Sequence, residues 1–508
     1  MSKYYLTLFW VVLCSCSSDN IQTDYVYYRL NADISTLDPA YITDVNNGSI
    51  ATKIYRGLVK LDDSLNVIPD IAERWEILND RKLYRFYLRK DVTFTNGRRV
   101  TAEDFKYSYE RIMKKETLSP NQWLFERVKS FVVINDHIFE IHLKDPFTPF
   151  LSMLTVPAGF VVPGEEVKKL GKDFSFKPTG AGYYYLEKWE SGLEIRLKLR
   201  DEISRQSNIK GIIYRIIPED ITAITEFEMA RLDLLGIPGN AFSRFKKHPY
   251  WHKRLEVVKS LNTYYLGLNT ERYPFNLKEI RQAIAFAIDR ERILNTFFES
   301  RGRIAEGVVP DFLRDWKLDQ TIRYSPDEGK KILQRAGIKE LKVQMLITAD
   351  QDVVDLAEII QGYLSQVGIK VKIKQMEWSA FKDAINKGQA DMFWLSWWAD
   401  YPDAENFLYP LFHSSNKGYG GNRTRFNNKQ IDMLIEESRI AKNKDESRKL
   451  YREIENIILT ELPLIPFWHR NDYLIVQSRI EGYRGFPVYT MDKGLEIKKL
   501  TQANKDKP

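Results

Sequence analysis

Apolar and polar residues follow two different periods along this chain, and together the two periods predict an α/β fold. In the second half, residues 341–348, 369–374 and 391–398 have the composition of strands, and the segments between them have helical spacing and end in glycine. A strand, helix, strand order with short connections predicts a parallel sheet with right-handed crossovers.

The first half has shorter elements and more turn signals. Residues 25–30 are typical of a strand, and residues 46–56 have helical spacing. A hairpin is predicted around Asn79-Asp80. Thr101 and Asp104 have the spacing of a capping box, which predicts that a helix begins at Thr101.

The most informative stretch is the aromatic run that ends at Asp400. Residues 391–398 contain no Gly or Pro, and Pro402 stops the strand because proline cannot donate to a ladder. Asp403 is predicted to cap a short helix that begins at Ala404. Asp400 therefore falls at the carboxyl end of a strand, the edge where open α/β sheets bind ligands. The alternative is that Asp400 only closes a turn.

The N-terminus has the pattern of an export signal. Lys3 precedes the apolar run 4–13, which is too short to be a final membrane anchor. Leu13, Cys14, Ser15 and Cys16 follow, and this order resembles a bacterial lipoprotein signal in which Cys16 receives lipid. An ordinary cleaved signal is the alternative. Because the only cysteines are these two, we expect no disulfide in the exported body.

Size and composition place the chain among ordinary globular proteins. At 508 residues it is too long for one core, so two to four domains, or two lobes with an insertion, are expected. The net charge of the whole sequence is +7, and it falls to +6 when the predicted signal peptide, which contains Lys3, is removed. The charged residues are spread along the chain. This pattern is typical of a solvated surface and not of a nucleic-acid footprint.

The sequence contains no pattern of residues that indicates a catalytic site. The sequence has no Gly-x-Ser-x-Gly and no His-Glu-x-x-His. The six histidines are scattered, and Pro249 separates His248 from His252 within what would otherwise be one helical face. We therefore expect no enzyme activity, no metal site and no cofactor.

Eight segments occur in one order that resembles a known family. They run from about Tyr25 to about Tyr483. The order is similar to that of the bacterial extracellular solute-binding proteins of family 5, the oligopeptide- and dipeptide-binding lipoproteins of ABC importers. Two departures are Gly180-Ala181-Gly182, where the family usually has Thr between the glycines, and Arg231-Leu232-Asp233. The segments are LDPA, YRGLVKLD, PDIAERWE, YRFYLRKDVTFTNGRRVTAEDFKYSYERI, PTGAGYYYLEKWE, PFNLKEIRQAIAFAIDRERI, WWADYPDAENFL and ELPLIPFWH.

The resemblance implies a fold and domain boundaries. The expected fold is the two-lobed periplasmic-binding-protein fold (type II, large cluster-C form), with an extra subdomain inserted in the N-terminal lobe. The two chain crossings between the lobes are expected near 262–269 and 473–478. The expected parts are a signal peptide 1–15, a tether 16–24, lobe I from 25–55, 172–262 and 478–508, an inserted subdomain 56–171, and lobe II 263–477.

The resemblance also implies a function. The protein is expected to be a monomer that captures short peptides between its lobes and delivers them to an ABC permease without making or breaking a bond. It would be held by a lipid anchor on the periplasmic side of a membrane, or on the outer face of a single-membrane cell. One alternative is that the same fold binds a different ligand: a nickel chelate, haem, a sugar or a cell-wall peptide. Two others change the function, to a signalling or chaperone-like lipoprotein or to an exported enzyme.

Seven ligand-binding residues follow from the matched positions. Asp400 is expected to bind the peptide α-ammonium, and main-chain groups of Ser396 and Trp398 to pair with the peptide backbone. The indoles of Trp397 and Trp398 are expected to form pocket walls. The sequence does not identify a group for the ligand carboxylate. The residues expected from the other lobe are Thr43 and Val45, which flank Asp44, and Tyr107.

Overall fold

The alternating patterns of the sequence become the strands of an α/β fold. The computed structural model describes residues 24–204, 208–338, 340–488 and 498–499, so the predicted lipid acceptor Cys16 lies outside the described residues. The strands are β1 Tyr25–Leu30, β2 Val59–Leu61, β3 Val67–Pro69, β4 Ala72–Leu78, β5 Leu83–Leu88, β6 Val128–Asn135, β7 Ile138–Leu143, β8 Tyr184–Glu190, β9 Glu194–Leu199, β10 Gly211–Ile216, β11 Leu234–Gly236, β12 Leu255–Lys259, β13 Asn262–Leu268, β14 Gly302–Ile304, β15 Leu341–Thr348, β16 Ile369–Met376, β17 Met392–Trp398, β18 Leu464–Val476, β19 Ile480–Glu481 and β20 Lys498–Lys499.

The helices mostly follow the predicted periodic segments, with ends that differ by one or two residues. The helix predicted at 46–56 runs from Val45 to Ile54, for example, because the carboxylate of Asp44 caps it by accepting from the Asn47 amide at 2.9 Å. The helices are α1 Val45–Ile54, α2 Ala102–Met113, α3 Phe150–Met153, α4 Gly164–Leu170, α5 Asp201–Ser204, α6 Asp220–Glu228, α7 Phe242–Lys247, α8 Lys278–Ala287, α9 Arg290–Thr296, α10 Pro326–Arg335, α11 Gln351–Gln366, α12 Trp378–Asn386, α13 Glu405–Phe412, α14 Lys429–Ile440 and α15 Lys444–Glu461.

Two four-stranded sheets form the N-terminal part of the fold. In the first, in the order β1-β10-β9-β8, β1 runs parallel to β10 and α1 packs on one face through Ile50 and Ile54. In the second, in the order β4-β5-β7-β6, α2 covers the face that carries Phe86 and Phe139. The capping box predicted for α2 is confirmed, because Asp104 accepts the Thr101 amide at 2.8 Å.

The glycine-rich motif near residue 180 fixes α1 against the first sheet. The Gly182 amide donates to Ile54 O, at the end of α1, over 2.7 Å. A Cβ at Gly182 would lie 2.2 Å from Lys53 O, and one at Gly180 would lie 2.0 Å from Ile54 O. Glycine is therefore needed at both positions so that the two backbones can approach. This contact sets the position of α1.

The largest sheet has eight strands, and most of it belongs to the second half of the chain. Strand β15 runs parallel to both β16 and β17, which confirms the predicted parallel arrangement. On the other side of β17 the sheet becomes antiparallel, in the order β17-β13-β18. The periodicity of the sequence did not predict this antiparallel half, because β13 and β18 are about 200 residues apart in the chain and neither signals its partner.

Strand β18 connects the two lobes. Its first half pairs with β13 and β14, and its second half pairs with β12 and β11. The chain crosses a second time between β12 and β13, through Ser260 and Leu261. The Asn262 side chain joins the two crossings, because its Oδ1 accepts the Arg470 amide at 2.8 Å and its Nδ2 donates to Arg470 O at 3.1 Å.

The inserted subdomain reaches across to α14 of lobe II. The Thr148 amide donates to Arg439 O at 2.8 Å, and the Thr148 hydroxyl donates to Ala441 O at 2.9 Å. The indole of Trp123 stacks on the ring of Tyr401, with centroids 6.3 Å apart. These contacts close one side of the space between the lobes.

A buried ion pair lies directly behind this contact. Arg439 Nε is 2.9 Å from Glu405 Oε1, as an ion pair without an aligned hydrogen bond, and both side chains are nearly inaccessible to solvent. The Tyr401 hydroxyl donates to the same carboxylate. Burial raises the pKa of Glu405, and the charge of Arg439 opposes that rise.

Removing one partner of this pair should destabilise the fold strongly. We expect Arg439→Ala to lower the free energy of unfolding by about 3 kcal/mol or more, because it leaves the Glu405 carboxylate buried without its cation. Urea unfolding followed by circular dichroism measures this change. The control is Arg448→Ala, which removes an exposed arginine and should cost about 1 kcal/mol or less. Equal losses in the two variants would contradict the role assigned to Arg439.

Candidate ligand site

The turn after β17 is held by a single asparagine. The Asp400 amide donates to Asn406 Oδ1 at 2.9 Å, and Trp397 Nε1 donates to Asn406 O at 2.7 Å. The Ala399 amide donates to Leu261 O, at the crossing between β12 and β13, over 2.9 Å. Asp400 is thus fixed to the end of β17, to the start of α13 and to the interlobe connection.

Asp403 supports the helix that follows, one residue away from the predicted position. The helix begins at Glu405 after Ala404, and not at Ala404 as the sequence suggested. The Asp403 carboxylate nevertheless supports this first turn, because it accepts from the Glu405 amide, two residues on, and from the Tyr451 hydroxyl, each at 2.9 Å. Burial raises the pKa of Asp403.

The carboxylate of Asp400 lies in a concave site. The side chain is exposed to solvent, although many protein atoms lie around the carboxylate. Burial raises the pKa of Asp400 to about 6, although a hydrogen bond with Asn406 acts in the opposite direction. Within the described residues, no cation contributes to this pKa. The site therefore lacks the positive charge that would stabilise the ionised carboxylate.

One edge of β17 is open beside this turn. Strand β13 pairs with the full length of β17, but on the opposite edge the pairing with β15 stops at Phe393. The main-chain groups of Ala399 and Asp391 bond toward the β13 side. By the alternation of an antiparallel pair, the N–H and C=O groups of Ser396 and Trp398 point to the open edge. In the described part of the chain, neither residue has a main-chain partner on that edge.

A cavity of about 530 Å³ lies between the two lobes. Its lobe I wall includes Tyr28 and Val45, and its lobe II wall includes Trp398 and Arg301. The middle of β18, from Arg470 to Leu474, forms the floor that joins the two walls. The interlobe strand is thus also the floor of the cavity.

The structure brings some of the predicted ligand residues together at this cavity. Val45 and Trp398 line it from opposite lobes and are 47% and 42% exposed. Ser396 is half-buried and accepts from Trp398 Nε1 at 3.3 Å. Asp400 lies two residues beyond Trp398, at the turn and outside the lining of this cavity.

Three other predicted residues lie further from the cavity. Thr43 is exposed just before α1. Trp397 points to the other face of β17 and packs beside the core of lobe II. Tyr107 packs on α4, where a Cβ at Gly164 would come within 2.9 Å of the phenol ring. The Lys168 Nζ lies 5.3 Å from the centroid of that ring.

Sequence reasoning missed the charged floor of the cavity. Arg301, Arg470 and Asp472 all line it. One signal was present: the polar run His469 to Asp472 interrupts a 13-residue strand that is otherwise largely apolar. Polar residues in the middle of a long strand indicate either an edge or a solvent-filled space.

Two lobes that share crossing strands and enclose a cavity define a two-lobed solute-binding protein. The family model of the bacterial extracellular solute-binding proteins, family 5 (middle region), matches residues 66–419. The chain therefore belongs to family 5 of these proteins, the binding components of ABC importers. Its fold is the two-lobed fold predicted above.

Named relatives cover most of the chain and bind different solutes. The chain is similar to the heme-binding protein A of Haemophilus influenzae, with 26% identity over 90% of this chain and 89% of the relative. It is also similar to the glutathione-binding protein GsiB of Salmonella choleraesuis, with 27% identity over 87% and 88%. Among solved structures, DppA of Helicobacter pylori in complex with peptide STSA has a TM-score of 0.79 at 24% identity and covers 94% of this chain and 98% of its own.

Two kinds of feature are absent from the described residues. No helix there combines the length and the apolar character that crossing a bilayer requires. In the same residues, no group of three or more His, Cys, Asp or Glu side chains could hold a metal ion.

The cost of the Asp400 charge should be measurable without any ligand. Because its pKa is about 6 in the fold and near 3.8 in an unfolded chain, the ionised carboxylate destabilises the fold, fully above pH 6 and not at all below pH 3.8. We expect Asp400→Asn to raise the Tm of the ligand-free protein at pH 7.5 and to lose most of that advantage at pH 4.5. Differential scanning calorimetry at both values measures this, with exposed Asp445→Asn as the control. A lower Tm for Asp400→Asn at pH 7.5 would contradict the assignment.

Proposed function

We propose that this protein binds short peptides with a free amino terminus and delivers them to the membrane permease of an ABC importer. The observation that carries the proposal is the Asp400 carboxylate, which lies at the turn just beyond the cavity wall and has no cationic partner among the described residues. A peptide α-ammonium supplies the missing charge. In a site where protein replaces most of the water, such a charge-assisted contact is stronger than it would be on an open surface.

The open edge of β17 supports a peptide rather than another amine. The main-chain groups of Ser396 and Trp398 on that edge can pair with an extended peptide as a neighbouring strand would. Because Asp400 follows Trp398 by two residues, the strand edge and the carboxylate are side by side. Main-chain pairing does not depend on side chains, so it suits a protein that accepts peptides of different sequence.

Closure of the lobes completes the proposed mechanism. Val45 faces Trp398 across the cavity, and the two crossings between the lobes described above are the β12–β13 link and β18. Bending at these crossings opens the cavity to solvent, and closing it buries the ligand. In this mechanism a monomer captures and releases its ligand without catalysis. Val45 and Trp398, which line the cavity, are the side chains that we propose meet the ligand, whereas the roles predicted for Thr43, Trp397 and Tyr107, which lie further away, stay predictions.

The relatives support a peptide ligand as one of several possibilities within the family. One relative is named for glutathione, and one similar structure holds the peptide STSA. The relative named for heme shows that the fold also serves a different solute. What favours a peptide here is the presence, close together in the chain, of an open strand edge and a carboxylate that has no cationic partner among the described residues.

Removing the Asp400 charge should remove the preference for a free amine. We expect Asp400→Asn to weaken binding of trialanine by about 100-fold, because the ammonium then enters the cleft without a counter-charge. Isothermal titration calorimetry measures this, with N-acetyl-trialanine as the matched ligand that should bind both proteins weakly. Wild-type affinity should also fall by about tenfold per pH unit below pH 6, as Asp400 becomes protonated. Unchanged affinity in the variant would overturn the proposal.

We also propose that lipid on Cys16 holds the mature protein, residues 16–508, on the periplasmic side of a membrane or on the outer face of a single-membrane cell. Acyl chains on Cys16 would supply the membrane affinity through their buried methylene groups. Cys16→Ser should therefore move the protein from the membrane fraction to the soluble exported fraction. Fractionation with detection by immunoblot measures this, and Cys14→Ser is the matched control. If Cys16→Ser remains with the membranes as the wild type does, the anchor is wrongly assigned.

A further inference from the structure

The inserted subdomain meets lobe II through donors that all end on one stretch of backbone. The Thr148 amide donates to Arg439 O at 2.8 Å, and the Thr148 hydroxyl donates to Ala441 O at 2.9 Å. Arg81 Nη1 donates to Lys442 O at 2.6 Å. The three acceptors are main-chain carbonyl groups, and the three donors come from two turns of the inserted subdomain.

The three carbonyl groups lie at the end of a helix. Helix α14 ends at Ile440 and α15 begins at Lys444, so Arg439 O belongs to the last turn of α14 and the other two acceptors belong to the link. The last carbonyl groups of a helix have no partner within it, and they carry the negative end of the helix dipole. Donors from the inserted subdomain therefore complete the end of α14, and the positive charge of Arg81 suits that end.

The turn that carries Arg81 has an unusual backbone. The φ angles of Asn79, Asp80 and Arg81 are 49°, 49° and 66°, and the Lys82 amide closes the turn on Asn79 O at 3.0 Å. Asparagine and aspartate adopt this left-handed region readily, whereas arginine does so rarely. Backbone strain of this kind persists where surrounding contacts maintain it, and the bond from Arg81 to lobe II is such a contact.

The same helix end is joined to the turn of Asp400. The Arg439 guanidinium lies 5.1 Å from the centroid of the Phe147 ring in the inserted subdomain, and it forms the buried ion pair with Glu405. The residue after Glu405 is Asn406, whose side chain accepts the Asp400 amide. Arg439 thus connects the contact between the lobes to the turn that carries Asp400.

This contact can form and break as the lobes move. The crossings between the lobes are the β12–β13 link and β18, and neither includes a residue of the contact. Rotation about the crossings therefore separates the inserted subdomain from the end of α14 without breaking a covalent bond. Because every donor and acceptor of the contact belongs to this chain, the contact forms whether or not the cleft holds a ligand.

We propose that Thr148 and Arg81 form a latch that binds the end of α14 and keeps most of the protein closed before any ligand enters. The closed form is the one that encloses a ligand, so a larger closed fraction strengthens the apparent affinity for every ligand by the same factor. The latch concerns the lobes alone and does not depend on the identity of the ligand.

The test measures the distance between the lobes in the ligand-free protein by double electron–electron resonance. Spin labels are attached to Asp136→Cys in the inserted subdomain and Lys449→Cys in lobe II, both exposed positions outside the latch. Cys14 and Cys16 are replaced by serine so that no other cysteine takes a label. Refolding from urea first removes any ligand that co-purifies. With the latch intact, we expect one dominant, short distance in the absence of ligand.

Variants in the same labelled background assign the closed form to the latch. Thr148→Val combined with Arg81→Met removes the hydroxyl and guanidinium donors and should lower the ratio of closed to open protein about tenfold or more, because one of the lost bonds carries a charge. Thr148→Val alone should give a smaller shift in the same direction. The matched control is Thr155→Val combined with Arg89→Met, which removes a hydroxyl bond and a guanidinium bond to main-chain carbonyl groups inside the inserted subdomain. Its distances should equal those of the protein with the latch intact.

The possible results separate the latch from the proposed function. If the ligand-free protein with the latch intact is mostly open, or if the latch double variant stays as closed as its control, the latch is wrong. If trialanine returns the open double variant to the short distance, both the latch and the peptide ligand are supported. If the double variant opens and trialanine does not bind the wild type in calorimetry, the latch stands and the peptide proposal falls. Circular dichroism verifies that each variant is folded.

Discussion

The continuity of the strand Leu464–Val476 is the constraint on which the rest of the structure depends. This one strand pairs with strands from both lobes, and its middle residues form the floor of the cavity. A strand that is bonded along both halves cannot slide, so the lobes can only rotate about it. The floor of the cavity and the element that joins the lobes are therefore the same stretch of backbone.

The electrostatic arrangement of the cleft follows from this frame. At the end of β17, which is two strands away from β18, the Asp400 carboxylate lacks a described cation. Its raised pKa means that the ionised form destabilises the empty protein, and a positive charge would relieve that cost. The Glu405–Arg439 pair behind the turn shows the opposite case, in which the chain supplies both charges and buries them together.

Local signals in the sequence predicted local structure well. The capping box at Thr101 and the parallel strands around β15 are confirmed, because they depend on residues close together in the chain. The helix after Asp400 begins one residue later than predicted, and its support by Tyr451 could not be predicted because that residue is distant in the chain. The charged floor of the cavity was beyond local patterns altogether, since Arg301 and Arg470 come to the same cavity only through folding. The role of Asp400 as an ammonium anchor stays a prediction.

The open edge of β17 also has a consequence for the protein before any ligand arrives. Unpaired strand edges attract other strands, and on an exposed surface they lead to aggregation. Here the edge ends beside Trp398 in a recess between two lobes, with the inserted subdomain closing one side through Thr148 and Trp123. A strand of another molecule would have to enter this recess before it could pair with the edge, so the position of the edge between the lobes restricts access to it.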